Sequence, residues 1–132
     1  MGRFAACVVL ISSLVVGVTP VRAHHSFAAE FNGDKPITLQ GTLTKLEWTN
    51  PHIWIYLDVK DQNGNIVAWQ CEGGPPNTLT RNGWSKNSIK PGDQLTIDGW
   101  LAKDNSKTCN ARSVKLPSGN SVFAGSTNGD YK

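Results

Sequence analysis

Trp48-Thr49-Asn50-Pro51-His52-Ile53-Trp54-Ile55-Tyr56-Leu57-Asp58-Val59 is a turn followed by the clearest strand in the chain. Ile53, Ile55, Leu57 and Val59 fall on one parity, and His52, Trp54, Tyr56 and Asp58 on the other. Side chains alternate faces along a strand, so one face is apolar and the other aromatic and polar. The second face carries His52, one of three histidines in the chain. The other two, His24 and His25, stand side by side near the N-terminus. Whether the three meet decides what this protein can do.

Working outward, strand one starts after Pro36, with Ile37, Leu39, Gly41 and Leu43 on one parity. The apolar positions then shift to Leu46 and Trp48, the signature of a bulge that bends the strand. Gly41 eases that bend. Asn50-Pro51 forms a corner into strand two, which runs to about Lys60. Asp61-Gln62-Asn63-Gly64 predicts a hairpin with Asn-Gly at its centre, leading into strand three, Ile66 to Glu72. Gly73-Gly74-Pro75-Pro76 stops that strand. Pro76 to Gly83 reads as a short helix, proline at its start and glycine past its end. Trp84 and Ile89 are expected to cover one end of the domain.

Lys90-Pro91-Gly92-Asp93 is a turn. Strand four follows, with Leu95, Ile97, Gly99 and Leu101 inward and Thr96, Asp98 and Trp100 outward. Strand five runs from about Asn110 to Leu116, and a last short strand covers Ser121 to Phe123. Three strands, a helix and two strands predict an all-β domain with small α content. The layout is that of an OB-fold-like five-stranded barrel with one short helix. A small β-sandwich or β-roll is the alternative.

The ends are not fold. Arg3, an apolar run from Phe4 to Val18, and Val21 and Ala23 before a cut make residues 1–23 a secretory signal peptide. The run is shorter than the ~20 residues a membrane span needs. Residues 24–36 then form a tail that packs Phe27 and Phe31 onto a domain at 37–125, and 126–132 are a polar C-terminal tail. Cleavage removes Arg3 and Arg22, taking the basic count from 13 to 11 against 10 acidic residues. That balance gives no footprint for nucleic acid. The expected protein is periplasmic or secreted, with no membrane contact after cleavage.

Cys71 and Cys109 remain after the cut. An oxidising compartment makes a disulfide the first reading. The barrel layout argues against it. Strands three and five pair in parallel there, with Cys71 ending one and Cys109 opening the other. That places them about 16 Å apart along the strands, too far for a bridge.

His24-His25-Ser26-Phe27 after the signal peptide, Trp48-Thr49-Asn50-Pro51-His52-Ile53-Trp54, Glu72-Gly73-Gly74-Pro75-Pro76-Asn77 and Lys90-Pro91-Gly92-Asp93 together resemble a family of small exported bacterial proteins classed as a domain of unknown function. The resemblance implies an exported, single-domain β protein. It implies no reaction.

The residues themselves suggest two kinds of binding. Cleavage after Ala23 would make His24 the first residue, so that its amine and ring nitrogen chelate one transition metal, copper first. His25 or His52 would add a nitrogen, and Glu30, Asp58 or Glu72 an oxygen. Reach is the test. Residues 26–36 span up to about 36 Å extended, or about 26 Å with a helical start. The bent first strand of ~12 residues needs about as much. Adjacent histidines at a chain end also fit a solvated tail. The second kind is a metal-free module for a small molecule, glycan or protein partner, held on the outward aromatics Trp54, Tyr56 and Trp100. No nucleophile, base and orienting group stand together in a motif, so no enzyme is expected.

Overall fold

A computed structural model of the chain describes residues 26–125. The expected signal peptide, His24, His25 and the C-terminal tail from residue 126 lie outside them. The elements are α1 (Phe27–Glu30), β1 (Phe31–Glu47), β2 (Trp54–Lys60), β3 (Ile66–Glu72), α2 (Pro76–Arg81), β4 (Gln94–Ala102), β5 (Thr108–Lys115) and β6 (Ser121–Phe123). The fold is all-β with little helix, as the strand parities predict.

The six strands form one sheet in the order β3-β2-β1-β4-β5-β6. A parallel β3–β5 pairing joins the first five into a ring. One continuous sheet runs through every strand, so no sandwich forms. β6, the expected last short strand, lies outside the five-stranded ring and pairs with the end of β5. Inside the ring lie Leu39 and Leu43 of β1, Ile55 and Leu57 of β2, Leu95 and Ile97 of β4 and Val114 of β5, all buried. Trp84 and Ile89 are buried with them, as expected. α2 starts on Pro76 and is followed by Gly83, whose φ of 89° suits only glycine comfortably.

The parity change in strand one is a real irregularity. The β1–β2 register slips between Leu43 and Lys45, leaving Thr44 as the extra residue. The hairpin after β2 also forms, with a different turn. Asp61 and Asn65 close it through an N–H to carbonyl bond of 2.9 Å, and only Gly64 within it has positive φ. The Asp61 carboxylate accepts from the Asn63 and Asn65 amides, and those bonds hold its carboxyl below the ordinary carboxylate value.

Two expectations fail. Strand one begins at Phe31, six residues before Ile37, because Phe31 pairs with Ala102 of β4. Residues 32–35 then oppose only Leu101, so Asn32-Gly33-Asp34 bulges out of a strand that has already started. Phe31 and Ala102 are both buried, outside the ring's core cluster. The tail residues before Phe31 add a single helical turn, α1, to the one helix expected.

The second failure is the disulfide. Cys71 and Cys109 are bonded, with Cα atoms 4.5 Å apart. The expected 16 Å offset assumed that β3 and β5 overlap along their lengths. They overlap only at Gln70–Glu72 against Thr108–Asn110, which sets Cys71 directly opposite Cys109.

Candidate functional site

β2 is preceded by Asn50-Pro51, a cis peptide, and by His52 and Ile53. Ile53 is fully buried. Its N–H donates to the Gly74 carbonyl at 3.2 Å and its carbonyl accepts from Gly73 at 2.9 Å. Those bonds extend the β2–β3 ladder past Trp54 and Glu72 and fix the backbone beside His52. The opposite parity then turns His52 to the outer face, where its Nδ1 pairs with Oε1 of Glu72. The His52 side chain is 26% exposed and that of Glu72 only 10%. Burial pushes the Glu72 carboxyl above its ordinary value of 4.5; His52 pulls it back in part and Glu30 adds to the rise.

The contacts of α1 show where the tail goes. α1 is held at the end of β4: Lys103 N–H donates to the Glu30 carbonyl at 2.8 Å, and Lys103 Nζ donates to the Ala28 carbonyl. Phe27 stacks on Phe31 at 5.7 Å and meets the edge of Trp100 at 5.4 Å. The two phenylalanines therefore pack on the domain, and one covers part of an outward tryptophan. These contacts put the tail at the β4 end of the ring closure, on the side from which the Glu30 charge adds to the rise at Glu72.

The register explains why the tail lies on that side. Trp54 of β2 pairs with Glu72 of β3, Glu72 with Asn110 of β5, Asn110 with Trp100 of β4, and Trp100 with Pro36 of β1. Trp54 on its other side pairs with Glu47. One circuit of the ring thus moves from Glu47 back to Pro36 on the same strand. Closing a sheet requires such a stagger. The tail need not travel back along β1 to approach His52, as the reach test assumed. It enters from the β4 side, and three strand spacings of about 4.8 Å separate Trp100 from Trp54, roughly 14 Å in all.

The expected ligand residues divide accordingly. His52 and Glu72 are in contact, and Glu30 bears on Glu72 only through its charge. Asp58 is not: it pairs with Thr42 and Ala68, four residues along β2 from Trp54. Among the described residues no three or more of His, Cys, Asp and Glu are grouped to hold a metal ion. Trp54 and Trp100 share the row above. Tyr56 lies in the next outward row, opposite Lys45 and Gln70. Its hydroxyl donates to Glu47 Oε2 at 3.0 Å, and Lys45 sits 5.3 Å from its ring centre. Trp100 also has Arg112 at 5.9 Å.

Sequence reasoning missed Asn110. Its side chain stands between Glu72 and Trp100 in the row, and its Oδ1 is buried with no hydrogen-bond partner. The sign was a polar residue of outward parity between Cys109 and Ala111, which are both fully buried. Register alone tells which neighbours it has.

No curated protein matches the chain. A family model described as a family of unknown function, DUF6152, matches residues 11–111, a stretch that holds all three histidines, Glu72 and Asn110. The match covers well over half of the sequence, and the chain belongs to that family.

Proposed function

We propose that this is an exported binding protein that holds a transition metal, copper first, where the N-terminal tail meets the start of β2. The nitrogen ligands are the amine and ring of His24, freed by cleavage after Ala23, with His52 or His25. Glu30 and Glu72 supply negative charge beside them. The observation that carries this reading is the His52–Glu72 pair on the outer face at the start of β2, with α1 held at the end of β4 on the same side of the ring closure. His24 and His25 directly precede Ser26, so His24 is at most about 7 Å of chain from it. Neutral imidazole suits copper, zinc and nickel, and copper heads the divalent affinity order.

Copper(II) titration of mature protein beginning at His24, read by EPR, tests the proposal. One ion with nitrogen ligands is expected. Binding should fade as pH falls through the histidine range near 6.5, because protons compete for the same nitrogens. A single residue added before His24 should weaken binding sharply, since amine and ring then no longer chelate together. His52→Ala should weaken it as well. Equal binding by the native and extended N-termini defeats the chelate. The metal-free reading, a ligand held on the outward aromatics Trp54, Tyr56 and Trp100, would then take its place.

A further inference from the structure

The β3–β5 pairing that closes the ring starts only at Gln70 and Thr108, so the first half of β3 has β2 on one side and no strand on the other. Backbone groups alternate sides along an antiparallel strand. Gln70 N–H donates to the Lys107 carbonyl at 3.0 Å, which puts Gln70, Ala68 and Ile66 in the set that faces away from β2. Among the described residues no backbone group meets the outward N–H and carbonyl of Ile66 and Ala68. The Ile66 side chain is 58% exposed, and Ala68 is exposed as well.

Folds guard such an edge with charge, proline or a bulge. This edge has none of them. Ile66-Val67-Ala68-Trp69 carries no charge and no proline. Its register against β2 is unbroken from the Lys60–Ile66 pair to the Trp54–Glu72 pair.

We infer that this edge pairs with the same edge of a second copy of the chain, antiparallel about a two-fold axis at Val67. The spacing is self-complementary. Ile66 of each copy faces Ala68 of the other, a large side chain beside a small one, and each such pair exchanges both N–H to carbonyl bonds. Val67 meets Val67 as a non-hydrogen-bonded pair. The charges at the two ends are complementary too. Lys107 Nζ lies 5.2 Å from the Trp69 ring centre at one end, and the Asp61 carboxylate is bound to the Asn63 and Asn65 amides at the other. Antiparallel pairing sets the acidic end of each copy against the basic end of its mate; parallel pairing would set like charges together. The edge lies at the far end of β3 from Glu72, so the inference does not draw on the metal reading. The paired window is short, and interfaces below ~1,200 Å² are weak or transient, so the dimer depends on concentration.

Sedimentation velocity on mature protein beginning at His24, at neutral pH and rising concentration, tests the inference. Wild type should shift from monomer toward dimer as concentration approaches about 1 mM. Ala68→Pro removes an outward N–H that the protein's own sheet does not use and should abolish the shift. Ile66→Lys changes only an exposed side chain and should do the same; it decides the matter if the proline variant does not fold. Lys107→Glu should weaken the dimer about 10-fold, because it faces Asp61 of the second copy. Air oxidation of Val67→Cys should give a disulfide-linked dimer, since Cα atoms of a non-hydrogen-bonded pair stand about 4.5 Å apart. Wild type that stays monomeric at about 1 mM overturns the inference. A dimer that Ile66→Lys leaves unchanged overturns it as well, by placing the contact elsewhere. A dimer lost in Ile66→Lys but not cross-linked through Val67→Cys overturns the two-fold at Val67.

Discussion

Cys71 and Cys109 stand opposite one another where β3 and β5 run parallel, and their bond crosses the point at which the ring closes. Both are fully buried. The paired backbone there is only three residues long on each strand. Intact mass of unreduced protein should show the bond as a loss of two hydrogens. Replacing both cysteines by Ala should cost about 2–5 kcal/mol in denaturant unfolding. A loss under about 0.5 kcal/mol would mean that the strand pairs close the ring by themselves.

Leu57 and Ile97 fill the ring from β2 and β4, each essentially without exposure. Truncating either to Ala leaves a cavity among close-packed neighbours. The expected loss is about 2–5 kcal/mol in denaturant unfolding. A value in the range of surface substitutions at both positions would contradict the inward parity.

His52 and Glu72 give opposite results when changed. His52→Ala strips a mostly buried carboxylate of a partner and should cost about 1–3 kcal/mol near neutral pH. Glu72→Gln keeps an acceptor and removes a buried charge. The folded carboxyl binds its proton more tightly than the unfolded one, chiefly through burial. Wild-type stability from this group therefore falls as pH rises from the ordinary carboxyl value of 4.5 through the higher folded value. Glu72→Gln should be as stable as wild type or more so at pH 7, and any advantage should vanish toward pH 3. A Gln variant that is clearly weaker at pH 7 would show that attraction to His52 outweighs burial.

Phe27→Ala should release α1 without unfolding the ring. Its contacts are one stacked and one edge-on aromatic pair, worth about 0.5–1.5 kcal/mol each beyond area. Limited proteolysis should then cut before Phe31, and tryptophan fluorescence should change as Trp100 loses its cover. Unchanged cutting would mean that the Lys103 bonds alone hold the tail.

Gly99→Ala should destabilise by about 1–3 kcal/mol, because backbone atoms of Asn110 stand where the new methyl must go. Thermal melting reads the change. Stability equal to wild type would mean that the two strands can separate at no cost.

Much of the ring was legible because it follows from period-two patterning. The parities of Ile53 to Val59 and Leu95 to Leu101, the Leu43–Lys45 slip and the Pro76 helix all write themselves locally. Register across the closure does not. Nothing near Cys71 in sequence tells that Cys109 faces it, since three overlapping pairs and a full-length overlap use the same residues. The start of β1 was hidden as well, because Asn32-Gly33-Asp34 has the composition of a turn yet bulges from a strand that Phe31 has begun. For the site, His52 and Trp100 were visible as outward polar and aromatic positions. Their arrangement with Glu72, Asn110 and Glu30 comes from the stagger of the whole sheet, which no short segment encodes.

The order of events in folding follows from the closing junction. β1–β4 and β3–β5 both join distant parts of the chain, but the first offers eight paired positions and the second three. Loop closure must be met before such contacts reward it, so the shorter junction should form late. Until then α1, held beside β4, and the His52 end of β2 lie on the two sides of an open junction. On the proposed metal reading, a chain whose ring is still open would hold those parts of the site apart and would become able to load the ion only once the ring has shut.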